Sequence, residues 1–94
     1  MFNDIAMRNH EEMMRELERQ GFDPHDESWH NNAVPSASVK IDGEEFEIFV
    51  PDDDEVREYA IFNFDQDLLA ETRDLQGVIE WLEQQEQLTY KGLL

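Results

Sequence analysis

Cysteine is absent from this 94-residue chain, which excludes disulfides, thiolate-bound metals and a cysteine nucleophile. Basic residues are scarce. Seven Lys and Arg stand against 24 Asp and Glu, a formal charge of −17 at pH 7. So few cations inside so negative a field cannot build a groove for phosphates, so direct nucleic-acid binding is not expected. No apolar run approaches the roughly 18 residues that cross a bilayer, and no membrane partner is expected. The opening Met1-Phe-Asn-Asp-Ile has neither the basic cap nor the apolar stretch of a secretion signal, which reads as a cytoplasmic protein. A Gly-rich phosphate cradle and a serine elbow are both missing, so catalysis is not expected either.

What is present is enough for a core. At 39% hydrophobic and 11% aromatic residues, the chain is no disordered acidic tail, and its length fits one domain spanning 1–94. The expected class is α+β: an antiparallel meander of three to four strands with an N-terminal and a C-terminal helix. In the first segment Ala6, Met13, Met14 and Leu17 recur at helical spacing, with Asn3 or Asp4 as cap. Gln20-Gly21-Phe22 forms its stop, with Gly21 left-handed and Phe22 folded back on the last turn. Arg8–Glu12, Glu11–Arg15 and Glu16–Arg19 stand at pairing distance along its polar face. Residues 22–36 read as a linker without period, in which Trp29 anchors to the core.

From Ala37 the period becomes two. Asp42-Gly43 is a tight-hairpin dipeptide, and placing the turn there sets a register. Ile41 then faces Glu44, Lys40 faces Glu45, Val39 faces Phe46 and Ala37 faces Ile48. That puts Ala37, Val39, Phe46 and Ile48 on one face and the Lys40–Glu45 pair on the other. Pro51 ends the second strand. Val56 to Phe64 reads as a third, with Ala60, Phe62 and Phe64 on one face and Tyr59 and Ile61 on the other. Asp65-Gln66-Asp67 forms a turn before a short fourth strand, Leu68 to Thr72. A helix starting near Asp74 places Leu75, Val78, Ile79 and Leu82 inward and Trp81 on its flank, despite Gly77. The tail from Gln87 either frays or docks through Leu88 and Tyr90. The sheet is expected to bury one face under helices and leave the other partly apolar.

The acid is segregated along the chain. Residues 1–19 carry a net −2 and residues 20–94 the remaining −15. Nine acids lie between Asp42 and Glu58 with Arg57 as the single base, and seven more lie between Asp65 and Glu86 with Arg73. Such density repels itself and favours a cationic partner. Carboxylates on strands and loops approximate the charge row of DNA, about one per 3.4 Å on each strand. The candidate partner-binding residues are Glu44, Glu45, Glu47, Asp52, Asp53, Asp54, Glu55, Glu58, Asp65 and Asp67. Phe49 and Tyr59 add apolar contact, in an outer patch with Ile61 ringed by Glu45, Glu47 and Glu58. Alternatively the second helix covers that patch, or two copies meet through it, so monomer and homodimer both stay open.

Metal sites have little support. Asn63-x-Asp65-x-Asp67 opens like a calcium loop, but Leu68 replaces the sixth-position glycine and Asp74 the twelfth-position glutamate. His25 and His30 with Asp23 and Asp26 lack a recognised zinc spacing, and His10 falls close to the helix stripe between Ala6 and Met13, where a boundary histidine is commoner than a ligand. Neither metal nor cofactor is expected.

The Asp42-Gly-Glu-Glu-Phe-Glu hairpin, the Pro51-Asp-Asp-Asp-Glu loop and the acid through Asp65 and Asp67 form a meander between two helices. In this architecture and charge the chain resembles the small phage-encoded anti-CRISPR proteins that act as DNA mimics. The resemblance implies a stoichiometric inhibitor, in the host cytoplasm if phage-encoded, that occupies the site where a CRISPR effector grips target DNA. DNA-mimic inhibitors of restriction enzymes or repair glycosylases look similar at this level. Two other readings share the composition: an immunity protein or antitoxin neutralising a basic nuclease toxin, and a halophilic structural domain whose charge is screened by salt.

Overall fold

The computed structural model describes residues 3–27, 35–52 and 57–92, with side chains as far as Gln87. Trp29, His30, Asp53, Asp54, Glu55 and Val56 fall outside those residues, as do the side chains of Leu88 and Tyr90. The element order is α1 (Asp4–Arg19), β1 (His25–Asp26), β2 (Ser36–Ile41), β3 (Glu44–Phe49), β4 (Tyr59–Asn63), β5 (Leu68–Thr72) and α2 (Leu75–Gly92). The α+β class holds, with a sheet of five strands rather than three to four. The strands pair in chain order and each pair is antiparallel. The unforeseen strand is β1, which lies in the stretch read as linker. Two residues with both side chains exposed carry no alternation to detect.

Local chemistry explains each boundary. Asn3 Oδ1 accepts from the Ala6 amide at 2.7 Å and caps α1. At the other end Gly21 has φ +93°, the Phe22 amide donates to Leu17 O and the Gly21 amide to Glu18 O. These are the two bonds of a Schellman motif. The β2–β3 turn holds Asp42 at φ 51° and Gly43 at φ 83°, both left-handed as a type I′ hairpin requires. The register is the one the turn dictates: Ile41 opposite Glu44, Lys40 opposite Glu45, Val39 opposite Phe46 and Ala37 opposite Ile48.

The third strand is shorter than its composition suggests, running from Tyr59 rather than Val56 and ending at Asn63 rather than Phe64. Arg57 and Glu58 precede it. The turn begins at Asn63, whose amide donates to Asp67 O, whose carbonyl accepts from Gln66 N and whose Oδ1 accepts from Asp67 N. Phe64 is thereby drawn into the turn, and a bulge lies between Ile61 and Phe62. Asp74 caps α2, its Oδ1 accepting from the Gly77 amide at 2.9 Å. The helix then continues to Gly92, through the segment expected to fray or dock.

Both helices pack on one face of the sheet. Ala6, Met13 and Leu17 of α1 and Val78, Ile79 and Leu82 of α2 join Ala37, Val39, Ile41, Phe46, Ile48, Tyr59 and Ile61 in one buried cluster. Trp81 flanks it, edge-on to Phe46 with ring centroids 5.2 Å apart. His10 is buried where α1 meets β2, with Nε2 3.1 Å from Ser36 O and 3.4 Å from Asp26 Oδ1. Of the three ion pairs expected along α1, Glu16–Arg19 forms among the described residues, with contacts of 2.7 and 3.0 Å. Hydrogen bonds from Arg19 and Gln20 hold the Glu16 carboxyl below its usual range.

Gly77 fits here for steric reasons. A Cβ at this position would lie 2.8 Å from Thr72 Cβ, so the first turn of α2 and the end of β5 touch through the missing side chain. In an open helix Gly→Ala gains about 1 kcal/mol. Here overpacking of about 1–3 kcal/mol opposes it, and Gly77→Ala is expected to lower stability. A thermal melt is expected to show a fall of several degrees, roughly 4–8 °C per kcal/mol for a domain of this size.

Candidate functional site

The helices leave the second sheet face without a helical cover among the described residues. Alternation places Ser36, Ser38 and Lys40 of β2 there, with Glu45, Glu47 and Phe49 of β3 and Ala60 and Phe62 of β4. Glu71 lies opposite Ala60, and Leu68, half exposed, lies opposite Phe62. Phe49 and Phe62 meet edge-to-face with centroids 5.4 Å apart, giving this face an apolar centre. Phe64, in the turn beyond, is 77% exposed.

This arrangement corrects the expected patch. Tyr59 and Ile61 lie on the helix-covered face and are buried in the core, because the β3–β4 register sets Ile61 against Ile48. The outer aromatic partner of Phe49 is Phe62. The alternation along β4 has the parity its sequence predicts, with Ala60 and Phe62 rather than Tyr59 and Ile61 on the outer face. The alternative in which α2 covers the Phe49 face does not hold either, since Val78, Ile79 and Leu82 pack on the opposite one.

Burial and the negative charges of Glu12 and Asp74 raise the Tyr59 phenol above its ordinary value. A raised folded value means the phenol stabilises the fold fully below the ordinary tyrosine value of about 10. That contribution is lost as pH rises from there through the folded value. Tyr59→Phe is expected to lose stability less steeply above pH 10 than the wild-type chain, as denaturation at stepped alkaline pH would show.

At one end of the open face lies a cavity of about 410 Å³ lined by Glu27, Ser38, Glu45, Glu47, Asn63, Phe64 and Gln66. Two buried serines orient its carboxylates. Ser36 Oγ donates to Glu47 Oε2 at 3.0 Å, and Ser38 Oγ donates to Glu27 Oε1 at 3.1 Å. A carboxylate has about four lone-pair sites, so the Ser36 bond orients Glu47 without exhausting its acceptor capacity.

Of the residues singled out from sequence, Glu45, Glu47 and Phe49 share the open face. Asp65 and Asp67 are exposed in the adjoining β4–β5 turn, and Glu44 is exposed beside the β2–β3 turn. Glu58 stands apart, 3.9 Å from Arg73 Nε. Asp52 lies beside α1: its carbonyl accepts from Asn3 Nδ2 at 3.0 Å, and the preceding Pro51 carbonyl accepts from Asn9 Nδ2 at 2.8 Å. Asp53, Asp54 and Glu55 lie outside the described residues. The site adds Glu27, Ser38, Phe62, Phe64 and Gln66, which sequence reading had not assigned to it. Carrying the hairpin register one strand further would have found Phe62. Glu27 had no such signal.

No group of three or more metal-ligating side chains occurs among the described residues. Asn63, first in the calcium-like spacing, spends its side chain on the turn, with Oδ1 on the Asp67 amide and Nδ2 3.4 Å from Asp67 Oδ2. His25 stands 3.7 Å from Asp23. No described helix is long and apolar enough to cross a membrane. Comparison with protein families, curated proteins and solved structures finds no match for this chain.

Proposed function

We propose that this protein is a stoichiometric, non-catalytic inhibitor that presents its open sheet face to the cationic, nucleic-acid-binding surface of another protein and displaces DNA from it. A defence nuclease such as a CRISPR effector is the target class the charge and architecture suit. One observation carries the reading: the sheet face left uncovered by the described helices combines an aromatic pair with rim carboxylates, in a chain of −17. An apolar centre within a polar rim is the usual anatomy of an interface. Opposite potentials steer the encounter, so association is fast and falls with ionic strength.

The test begins with capture of basic nucleic-acid-binding proteins on the immobilised chain from lysate with nucleases removed. Affinity of the captured protein is then measured from 50 to 500 mM salt. Support is a captured nucleic-acid-binding protein whose affinity falls steeply and log-linearly with salt. A partner that binds no nucleic acid, or affinity indifferent to salt, contradicts the proposal.

A further inference from the structure

The sheet face that the described helices leave open has shape as well as charge, and its chemistry selects among occupants. A second copy is disfavoured, because it would bring −17 against −17. The cavity of about 410 Å³ lies near the lower end of the roughly 300–1,000 Å³ that small-molecule sites occupy. One long side chain suits it. The lining offers carboxylates from two neighbouring positions of β3, Glu45 and Glu47, with the amide group of Gln66 beside them. Phe64, exposed in the adjoining turn, forms the aromatic part of its wall.

That combination discriminates between the two cationic side chains. A lysine ammonium is a compact, strongly hydrated point charge that any carboxylate satisfies equally well. A guanidinium is planar and more weakly hydrated, carries five N–H donors and stacks on aromatic faces. We infer, resting on the reading of a basic protein partner, that the cavity between Glu45, Glu47 and Phe64 receives an arginine side chain of that partner. The guanidinium donates to the glutamate carboxylates while its plane lies on the Phe64 ring. The neighbouring Phe49–Phe62 pair takes the apolar residues that flank the arginine.

The probes are N-acetylated, C-amidated tetra-arginine and tetra-lysine, equal in charge, titrated into the isotope-labelled full chain and followed by amide chemical shifts at 50 mM salt. Tetra-arginine is expected to bind about two- to five-fold tighter, because a guanidinium stacks flat on the ring while donating from a planar fork, which an ammonium cannot do. Its shifts are expected to centre on Ser38, Glu45, Glu47, Asn63, Phe64 and Gln66. Phe64→Ala, at an exposed turn position, is expected to keep the spectrum of a folded protein and lose the preference. Glu47→Gln is expected to weaken both peptides. Equal affinity for the two peptides, or shifts centred on the exposed acids of α1 and α2, overturns the arginine inference. Equal affinity leaves the basic-partner reading standing, since that reading is tested separately by capture, by salt dependence and by competition with duplex. Shifts centred on the helices count against the sheet face as well.

Discussion

Reversing Glu45 and Glu47 together to lysine is expected to abolish binding to a cationic partner while the fold survives. Both residues sit in β3, half-buried, with side chains on the sheet face opposite the two helices, so neither reversal enters the helix-covered core. Ser36 Oγ donates to Glu47 from a buried position, so losing that carboxylate costs about 1–3 kcal/mol of stability, short of the total for a domain. Each reversal removes an attraction and adds a repulsion. Loss of one partner of a desolvated charge pair costs about 2–5 kcal/mol, which is roughly 30- to 4,000-fold in affinity. The control is reversal of Glu80 and Glu83, exposed on α2 in the other layer. It changes the net charge by the same amount, so a field spread over the whole molecule would weaken both variants alike. The account expects the sheet pair to dominate, measured by titration calorimetry at fixed salt.

The second large effect is on stability. Ile48 is fully buried at the centre of the sheet, opposite Ala37 on β2 and Ile61 on β4, with both helices above. Truncation to alanine leaves a cavity that neighbours on both sides are held from filling by the ladder. The expected loss is about 2–5 kcal/mol, out of a total of about 5–15 for a domain. Urea unfolding is expected to show a lower midpoint with an unchanged slope. Added salt relieves carboxylate repulsion in both proteins but restores nothing lost in the cavity, so the difference between them is expected to persist at 0.5 M salt. A difference that salt erases would mean that repulsion, not packing, governs this fold.

Much of the fold was legible because several local signals agreed. Asp42-Gly43, the apolar alternation and the Lys40–Glu45 register each predict the same hairpin, and it forms. The α1 boundaries follow likewise from Asn3 and Gly21. Legibility ended where one residue obeys two masters. Phe64 has strand composition, yet the hydrogen bonds gathered at Asn63 pull it into a turn. Tyr59 and Phe62 are both aromatic neighbours of an alternating strand, and composition does not say which one faces in. Only the register with Ile48 decides. The site was half legible for the same reason. Charge marked Glu45 and Glu47, whereas Glu27 reaches them through a two-residue strand that leaves no periodic trace.

The central claim is that the carboxylate-rimmed sheet face takes the place of nucleic acid on its partner. A competition titration on the captured protein tests it most directly, with a fluorescent duplex bound to the partner and this chain added in increments. The account predicts complete release of the duplex at one equivalent per site, with no ternary species at any ratio. A partner that holds duplex and inhibitor at once, with the affinity of neither changed, would contradict it.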